Sequence, residues 1–324
     1  MLILGIETSC DETSLSLVEE GPRIVRLETL SSLRFHKRFG GIIPELAQRK
    51  HLQYIDILYH RVFKDSGASI NDVDAIGVVS HPGLIGCLLV GLNFARALSF
   101  SWGKPLVELN HLYAHLYAAF FSRIKPRLPF LGLVVSGGHT SIYYVEDFDR
   151  FNLLGKTRDD ACGEAFDKVA KILNLGFPGG PLIDKISRNI RKSRFNFQCR
   201  HFEDCLDFSF SGIKTSVLYK VRELEEDGRL TFAIKKEIAW AFQKSCIDSL
   251  IRNLKRALRM HRVKDVVIGG GVAANSYFRK ALANLSKDEK IGVRVAPLSL
   301  CQDNAAMVAG LGLELYKKEI YLYV

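Results

Sequence analysis

Two stretches of this chain follow one plan, and that repetition constrains the fold more than any other feature. Residues 2–6 form a short continuous apolar run, the mark of a buried strand, and residues 14–18 alternate as a half-buried strand does. Between them lies a small polar tip, residues 7–13, which carries Asp11 among its hydroxyls and carboxylates. Residues 129–135 repeat the apolar run, 136–140 the polar tip and 141–145 the returning strand, and both copies exit on an acid, Glu19 and Glu146. Such self-similarity predicts an internal duplication: an α/β chain of two lobes, each with a hairpin-bearing mixed sheet. The length of 324 residues, about twice a typical domain, suits that reading. The two hairpin tips could then face one another across a cleft.

Other segments fill in the lobes. Residues 23–30 read as a third strand, and a helix starts after Pro44. Residues 73–79 and 106–109 read as strands; a glycine-rich turn at 80–86 opens a helix reaching residue 100. Residues 157–174 read as a helix in which Glu164/Lys168 and Asp167/Lys171 are spaced as i,i+4 surface pairs. Helices fill 214–225 and 232–260, residues 265–268 and 292–297 are strands, and 305–315 is a helix of small residues.

Composition narrows the partners. The net charge of +10 favours a polyanion, nucleic acid before a membrane surface. Basic residues gather at 34–51 (Arg34, His36, Lys37, Arg38, Arg49, Lys50, His51) and at 188–200; each is either a solvated face or a phosphate-backbone contact. Seven cysteines, an odd number without a CxxC pair, read as reduced thiols. The apolar residues 2–6 run directly into acids, unlike a signal peptide, and the most apolar window, 84–92, is too short to span a bilayer. The expectation is a soluble cytoplasmic protein with no membrane partner.

The chemistry gathers around residues 106–115. A short strand leads to Asn110, a good N-cap, and then a helix that places His111 and His115 on one face, with Cβ atoms roughly 5–6 Å apart. Two imidazoles so placed are either structural or two ligands of one metal. Position 112 is Leu, where the general base of a zincin HExxH helix would stand. A metal would also need an anionic ligand from elsewhere. Asp303, at the start of the last helix, is either that helix's N-cap or the missing ligand. Two glycine turns, at Gly137-Gly138 and at 269–271, allow a phosphate or a flat ring close to the backbone. The run at 269–271 does not fit the G-x-G-x-x-G dinucleotide fingerprint.

Taken together, GIETSCDET (5–13), Asn110-His111 with His115, VSGGHT (135–140), GEAFDK (163–168), FSFSGIK (208–214), GGGVAAN (269–275) and DNAAM (303–307) resemble the bacterial tRNA adenosine threonylcarbamoyltransferase family, TsaD, within the actin/sugar-kinase/Hsp70 (ASKHA) superfamily. The resemblance implies a two-lobed ASKHA fold with a central nucleotide cleft. We divide it as residues 1–106 with 305–324 in the first lobe, and 107–304 in a second lobe holding the metal and nucleotide motifs. It implies transfer of threonylcarbamoyl from threonylcarbamoyl-AMP to N6 of adenosine 37 in tRNAs reading codons that begin with A. Metal ligation falls to His111, His115 and Asp303. The adenylate, or an ATP- or ADP-like nucleotide, falls to Val135, Ser136, Gly137, Gly138, His139, Asp167, Gly180, Asp184 and Asn275. Catalytic roles fall to the two histidines and to Asp11, as a base or a holder of water. The resemblance favours Fe(II) as the divalent metal, with Zn(II) possible. It implies helper proteins: a shorter inactive paralogue (TsaB-like) and a P-loop ATPase (TsaE-like). Tyr113-Ala114 and Gln302 depart from the commoner family residues without removing a ligand. The alternatives are a metal-dependent peptidase, an ASKHA-type small-molecule kinase and a non-catalytic scaffold.

Overall fold

The computed structural model describes residues 1–324 and divides them into two compact units, Met1–Lys125 with Ala296–Val324, and Pro126–Val295.

In the first unit, β1 (Leu2–Glu7), β2 (Glu12–Glu19), β3 (Arg23–Ser31), β4 (Ala75–His81) and β5 (Leu106–Asn110) form one sheet in the order β3-β2-β1-β4-β5. The β1–β2 and β2–β3 pairs are antiparallel; β1–β4 and β4–β5 are parallel. All six residues of β1 are buried, as expected of a strand in the middle of a covered sheet. A single helical turn, α1 (Leu33–His36), leads to α2 (Pro44–Ser66), where Pro44 at the first position has no amide of its own to leave unpaired. Next come α3 (Ile85–Trp102) and α4 (His111–Tyr117), and the chain's last helix completes the unit. Long and apolar enough to cross a bilayer by composition, α3 instead packs on α2 and β4.

The second unit repeats the arrangement. Its strands β6 (Phe130–Val135), β7 (Thr140–Asp147), β8 (Arg150–Lys156), β9 (Asp265–Gly269) and β10 (Gly292–Val295) take the order β10-β9-β6-β7-β8. Again the first hairpin pairs are antiparallel and the later strands parallel. Mapped strand for strand, the two sheets have the same topology, so the duplication read from the hairpins extends to whole sheets. The helices here are α5 (Cys162–Ile172), α6 (Gly179–Ser187), α7 (Ser211–Glu226), α8 (Phe232–Met260) and α9 (Ser276–Glu289). The chain then returns to the first unit as α10 (Ala305–Lys317), which packs against β1, β2 and β4.

The structure departs from the sequence reading in several places. Residues 107–125 and 296–304 belong to the first unit, because β5 pairs with β4 and α4 packs on α10. The metal motif therefore lies in the first unit, not the second. Strand β8 occupies residues that carry no element in the sequence reading, and α5 starts at Cys162 rather than at 157. The intervening loop is held by its own acids. Asp159 accepts from the amides of Phe210 (2.8 Å) and Ser211 (3.1 Å) and from both serine hydroxyls, while Asp160 pairs with Lys168 and Lys214 at 2.7 Å each. Those contacts fix the FSFSGIK segment. Two of the basic cluster at 34–51 are internal: His36 bonds Ser32 Oγ (3.0 Å), and His51 bonds Thr13 Oγ1 (2.8 Å) and the Cys10 carbonyl (3.0 Å).

Candidate functional site

In the first unit, α4 begins as its sequence dictates: the Asn110 side chain accepts from the amides of Leu112 (2.8 Å) and Tyr113 (3.4 Å). Leu112, Leu116 and Phe120 are buried on one face and anchor the helix. His111 and His115 lie together, with ring centroids 4.5 Å apart. Leu112 points into the core, so no general base occupies that position.

Asp303 reaches the pair through the packing of α10. Gly5 in β1 lets the helix approach: a Cβ there would lie 2.3 Å from the Ala305 carbonyl and 2.6 Å from the Ala309 amide. Ser14 Oγ accepts from the Ala305 amide at 2.9 Å and pins the helix start to β2. The N-cap is Asn304, which accepts from Met307 N at 3.1 Å, not Asp303. Relieved of capping, Asp303 places Oδ1 3.1 Å from His115 Nε2 and 3.6 Å from His111 Nε2. One ligand atom from each of the three residues lies within 4.8 Å of the others.

These residues fit a divalent metal. Both ring nitrogens of His115 are buried without a hydrogen-bond partner, although Nε2 is so near Asp303. The two atoms are neighbours about a common point rather than a donor aimed at an acceptor. His111 Nδ1 lies 3.0 Å from Glu7 Oε2 and 3.3 Å from Ser9 Oγ, and Glu7 also accepts the Ser9 amide at 2.5 Å. A carboxylate behind an imidazole fixes the ring and its tautomer, leaving Nε2 as a lone-pair donor. Sequence reasoning passed over Glu7. Its signal is a carboxylate at the end of a wholly buried strand, since charged groups are almost never fully buried without a partner.

At His111 a proton competes with a metal for the same surrounding acids. Burial disfavours the imidazolium of His111, but the charges of Glu7 and Asp303 outweigh it and raise the pKa to about 9. Burial, then the charges of Asp303 and Asp11, push the Glu12 carboxyl up to about 10. Asp11, which accepts from Ser31 Oγ at 3.2 Å, is likewise raised, chiefly by burial. Several acids crowd one another in half-buried surroundings, and a cation would relieve them.

In the second unit, a chain of contacts joins the residues assigned to the nucleotide. Val135 ends β6, and the 136–139 turn closes through the Ser136 amide on the His139 carbonyl (2.8 Å) and the His139 amide on Ser136 Oγ (3.1 Å). The start of α5 abuts that turn through the Gly163 amide on the Ser136 carbonyl at 3.2 Å. Gly270 lies against Val135 with φ of +92°, and a Cβ there would meet the Val135 carbonyl at 2.4 Å. Asp167 is not half of a surface pair with Lys171. Its Oδ1 accepts the Gly179 amide at 2.6 Å, so it sits at the N-terminus of α6 beside Gly180. Asp184 accepts from Ser276 Oγ (2.6 Å) and its amide (3.2 Å), while Asn275 caps α9 through Phe278 N (2.9 Å) and donates to Gln243 (2.7 Å). Around this framework Gly137, Gly138, Gly180 and Gly271 stand in open space.

Comparison with known proteins gives the family. The family model for tRNA N6-adenosine threonylcarbamoyltransferase, TsaD, matches residues 23–310. The tRNA N6-adenosine threonylcarbamoyltransferase of Thermosipho africanus is 46% identical over 321 residues, covering 99% of this chain and 96% of that protein. Among solved structures, component A of the Acidaminococcus fermentans (R)-2-hydroxyglutaryl-CoA dehydratase superposes with a TM-score of 0.56 at 18% identity, over 98% of both chains. Full-length HypF superposes with a TM-score of 0.63 at 12% identity, over 98% of this chain and 46% of that one. At such identities the likeness is one of fold, the actin-like/sugar-kinase fold that the duplicated sheets display. With the family model spanning most of its length and a relative of this similarity aligned nearly end to end, the chain belongs to the tRNA N6-adenosine threonylcarbamoyltransferase family, TsaD.

Proposed function

We propose that this enzyme transfers threonylcarbamoyl from threonylcarbamoyl-AMP to N6 of adenosine 37 in tRNAs reading codons that begin with A, releasing AMP. The observation that carries the reading is the meeting of Asp303 with the helical pair His111 and His115, which only tertiary packing brings to it. Two imidazoles and one carboxylate leave coordination positions open, the pattern of a catalytic site. A divalent metal held there, Fe(II) by family resemblance or Zn(II), would supply Lewis-acid polarisation of the carbamoyl or phosphate oxygens. The chain's own residues do the rest. Glu7 holds His111 in its ligating tautomer. Asp11 orients the attacking amine or a water beside it. The Val135–His139 turn offers backbone amides to the phosphate, Asp167 and Asp184 take ribose hydroxyls, and the backbone at Gly180, Gly271 and Asn275 admits the adenine. An exocyclic amine is a weak nucleophile, so orientation and leaving-group stabilisation dominate over deprotonation.

The surface suits the partners this role needs. Exposed Arg34, Lys37 and Arg38 with half-buried Lys50 in the first unit, and exposed Arg191, Lys192 and Arg200 in the second, meet the tRNA backbone. Ile85, Leu89 and Phe100 on α3 and Leu52 and Ile57 on α2 are exposed apolar side chains, which we assign to contact with a shorter TsaB-like paralogue. A TsaE-like P-loop ATPase and a cytoplasmic location complete the proposal. The test is nucleoside mass spectrometry of tRNA treated with threonylcarbamoyl-AMP and either wild-type protein or His111→Ala. Product from wild type and none from a folded variant supports the reading; equal product from both overturns it.

A further inference from the structure

A cavity of about 910 Å³ in the second unit, lined by none of the residues given to the metal or the adenylate, lies between the irregular segment at 192–201 and α8. Its walls combine two kinds of chemistry. Phe195 and Phe197 present parallel rings to one side of an extended stretch, with centroids 6.4 Å apart and planes within 7°. Trp240, half-buried on α8, lines the same space. Around these rings stand Lys192, Arg200 and Arg252, none of which forms an ion pair; Lys244, also in the wall, is neutralised by Asp248. Arg252 is the most telling. Its Nη2 reaches only a neutral hydroxyl, Ser249 Oγ at 3.2 Å, and its Nε is buried with no partner. A buried donor left unpaired costs about 1–3 kcal/mol. Partial desolvation and the charges of Arg252 and Arg256 hold the nearby His201 imidazole below its ordinary range, a further mark of uncompensated positive potential. The cationic surface continues along α8 through a second cavity that Arg252, Arg256 and Arg259 line.

We propose that this cavity receives an unstacked nucleotide of the tRNA substrate, its base against Trp240 and Phe195 and its phosphate on Arg252 and Lys192. Flat apolar walls next to unpaired guanidinium and ammonium groups are what single-stranded nucleic acid requires: π-faces for the base and fixed cations for the backbone. The site is separate from both the metal ligands and the adenylate residues, so it holds the RNA without taking part in the transfer. The proposal rests on the tRNA-modifying role above.

The experiment uses the full chain in a Trp102→Phe background, where Trp240 is the only tryptophan. Its fluorescence is titrated with a substrate tRNA anticodon stem-loop, with a fully paired RNA hairpin closed by a tight tetraloop, and with AMP. The proposal expects quenching by the stem-loop with markedly weaker response to the hairpin. It also expects at least fivefold weaker stem-loop binding in Phe195→Ala and in Arg252→Gln, with a salt dependence shallower by about 0.7 in the Arg252 variant, one phosphate's share for a single strand. Circular dichroism and melting confirm that each variant is folded; Lys192→Ala, on the exposed rim, repeats the test without a core change. No quenching, equal quenching by the paired hairpin, unchanged affinity in all three variants, or AMP binding as tightly as the stem-loop overturns it. Modification of tRNA by the wild-type chain, measured separately by mass spectrometry, tests the functional reading by itself.

Discussion

Replacing Glu7 by Gln isolates what a buried carboxylate does for the histidine pair. Glu7 is fully buried; one of its oxygens accepts the Ser9 amide at 2.5 Å and the other faces His111 Nδ1 at 3.0 Å. Glutamine has the same shape but only one acceptor. The Ser9 amide needs that acceptor, so the new NH2 group must point at His111 Nδ1. The imidazole then has to accept there, and its proton moves to Nε2, the atom 3.6 Å from Asp303. A ligand lone pair becomes an N–H. Loss of an outer hydrogen bond of this kind costs about 10- to 100-fold in metal affinity, and tautomer inversion puts this variant at the upper end, near 2.7 kcal/mol. The assay is thermal or urea unfolding of metal-stripped protein with and without added Fe(II) or Zn(II). At a metal concentration of about 100 times the wild-type Kd, the wild type gains about 2.7 kcal/mol and Glu7→Gln only about 0.4 kcal/mol. Equal gains in the two proteins would refute the assignment of Glu7 as the orienting group, and no gain in either would refute the metal site itself.

Three further outcomes are expected. Gly270→Ala introduces a Cβ at positive φ within 2.4 Å of the Val135 carbonyl, and should lower stability by about 2–4 kcal/mol in urea titration; an unchanged midpoint would show that the loop relaxes freely. Asn304→Ala removes the cap of α10 and should cost about 0.5–2 kcal/mol while also loosening Asp303, so weaker metal binding is expected alongside the lower melting temperature; one effect without the other would separate capping from ligand placement. Asp265 is buried, and hydrogen bonds from Arg127 and the charge of Arg294 outweigh the desolvation that would raise its pKa, holding the carboxyl below its usual range. A depressed folded-state pKa stabilises at pH above the unfolded value near 4 and stops doing so as pH falls through the folded value. Asp265→Asn should therefore be less stable at neutral pH by about 1–3 kcal/mol and show a flatter loss of stability below about pH 4; a parallel acid profile would count against the pairing.

Much of this protein could be read without coordinates. Continuous apolar runs and alternating runs carry their strand type in the residues themselves, because side-chain period follows backbone geometry, and so the two hairpins and their duplication were visible. The Asn110 cap and the four-residue spacing of His111 and His115 are local for the same reason. Strand β8 escaped because its residues do not alternate cleanly. Asp167 had a credible local partner in Lys171, and only the fold supplied a better one, the amide of Gly179.

What the chain alone could not decide is how distant segments meet. Whether Asp303 caps its helix or faces the imidazoles depended on Asn304 taking the cap and on Gly5 admitting α10 against β1. Glu7 gained its role only when β1 came to lie beneath α4. Such contacts join residues far apart in sequence, and their energies depend on burial and orientation that no local pattern encodes.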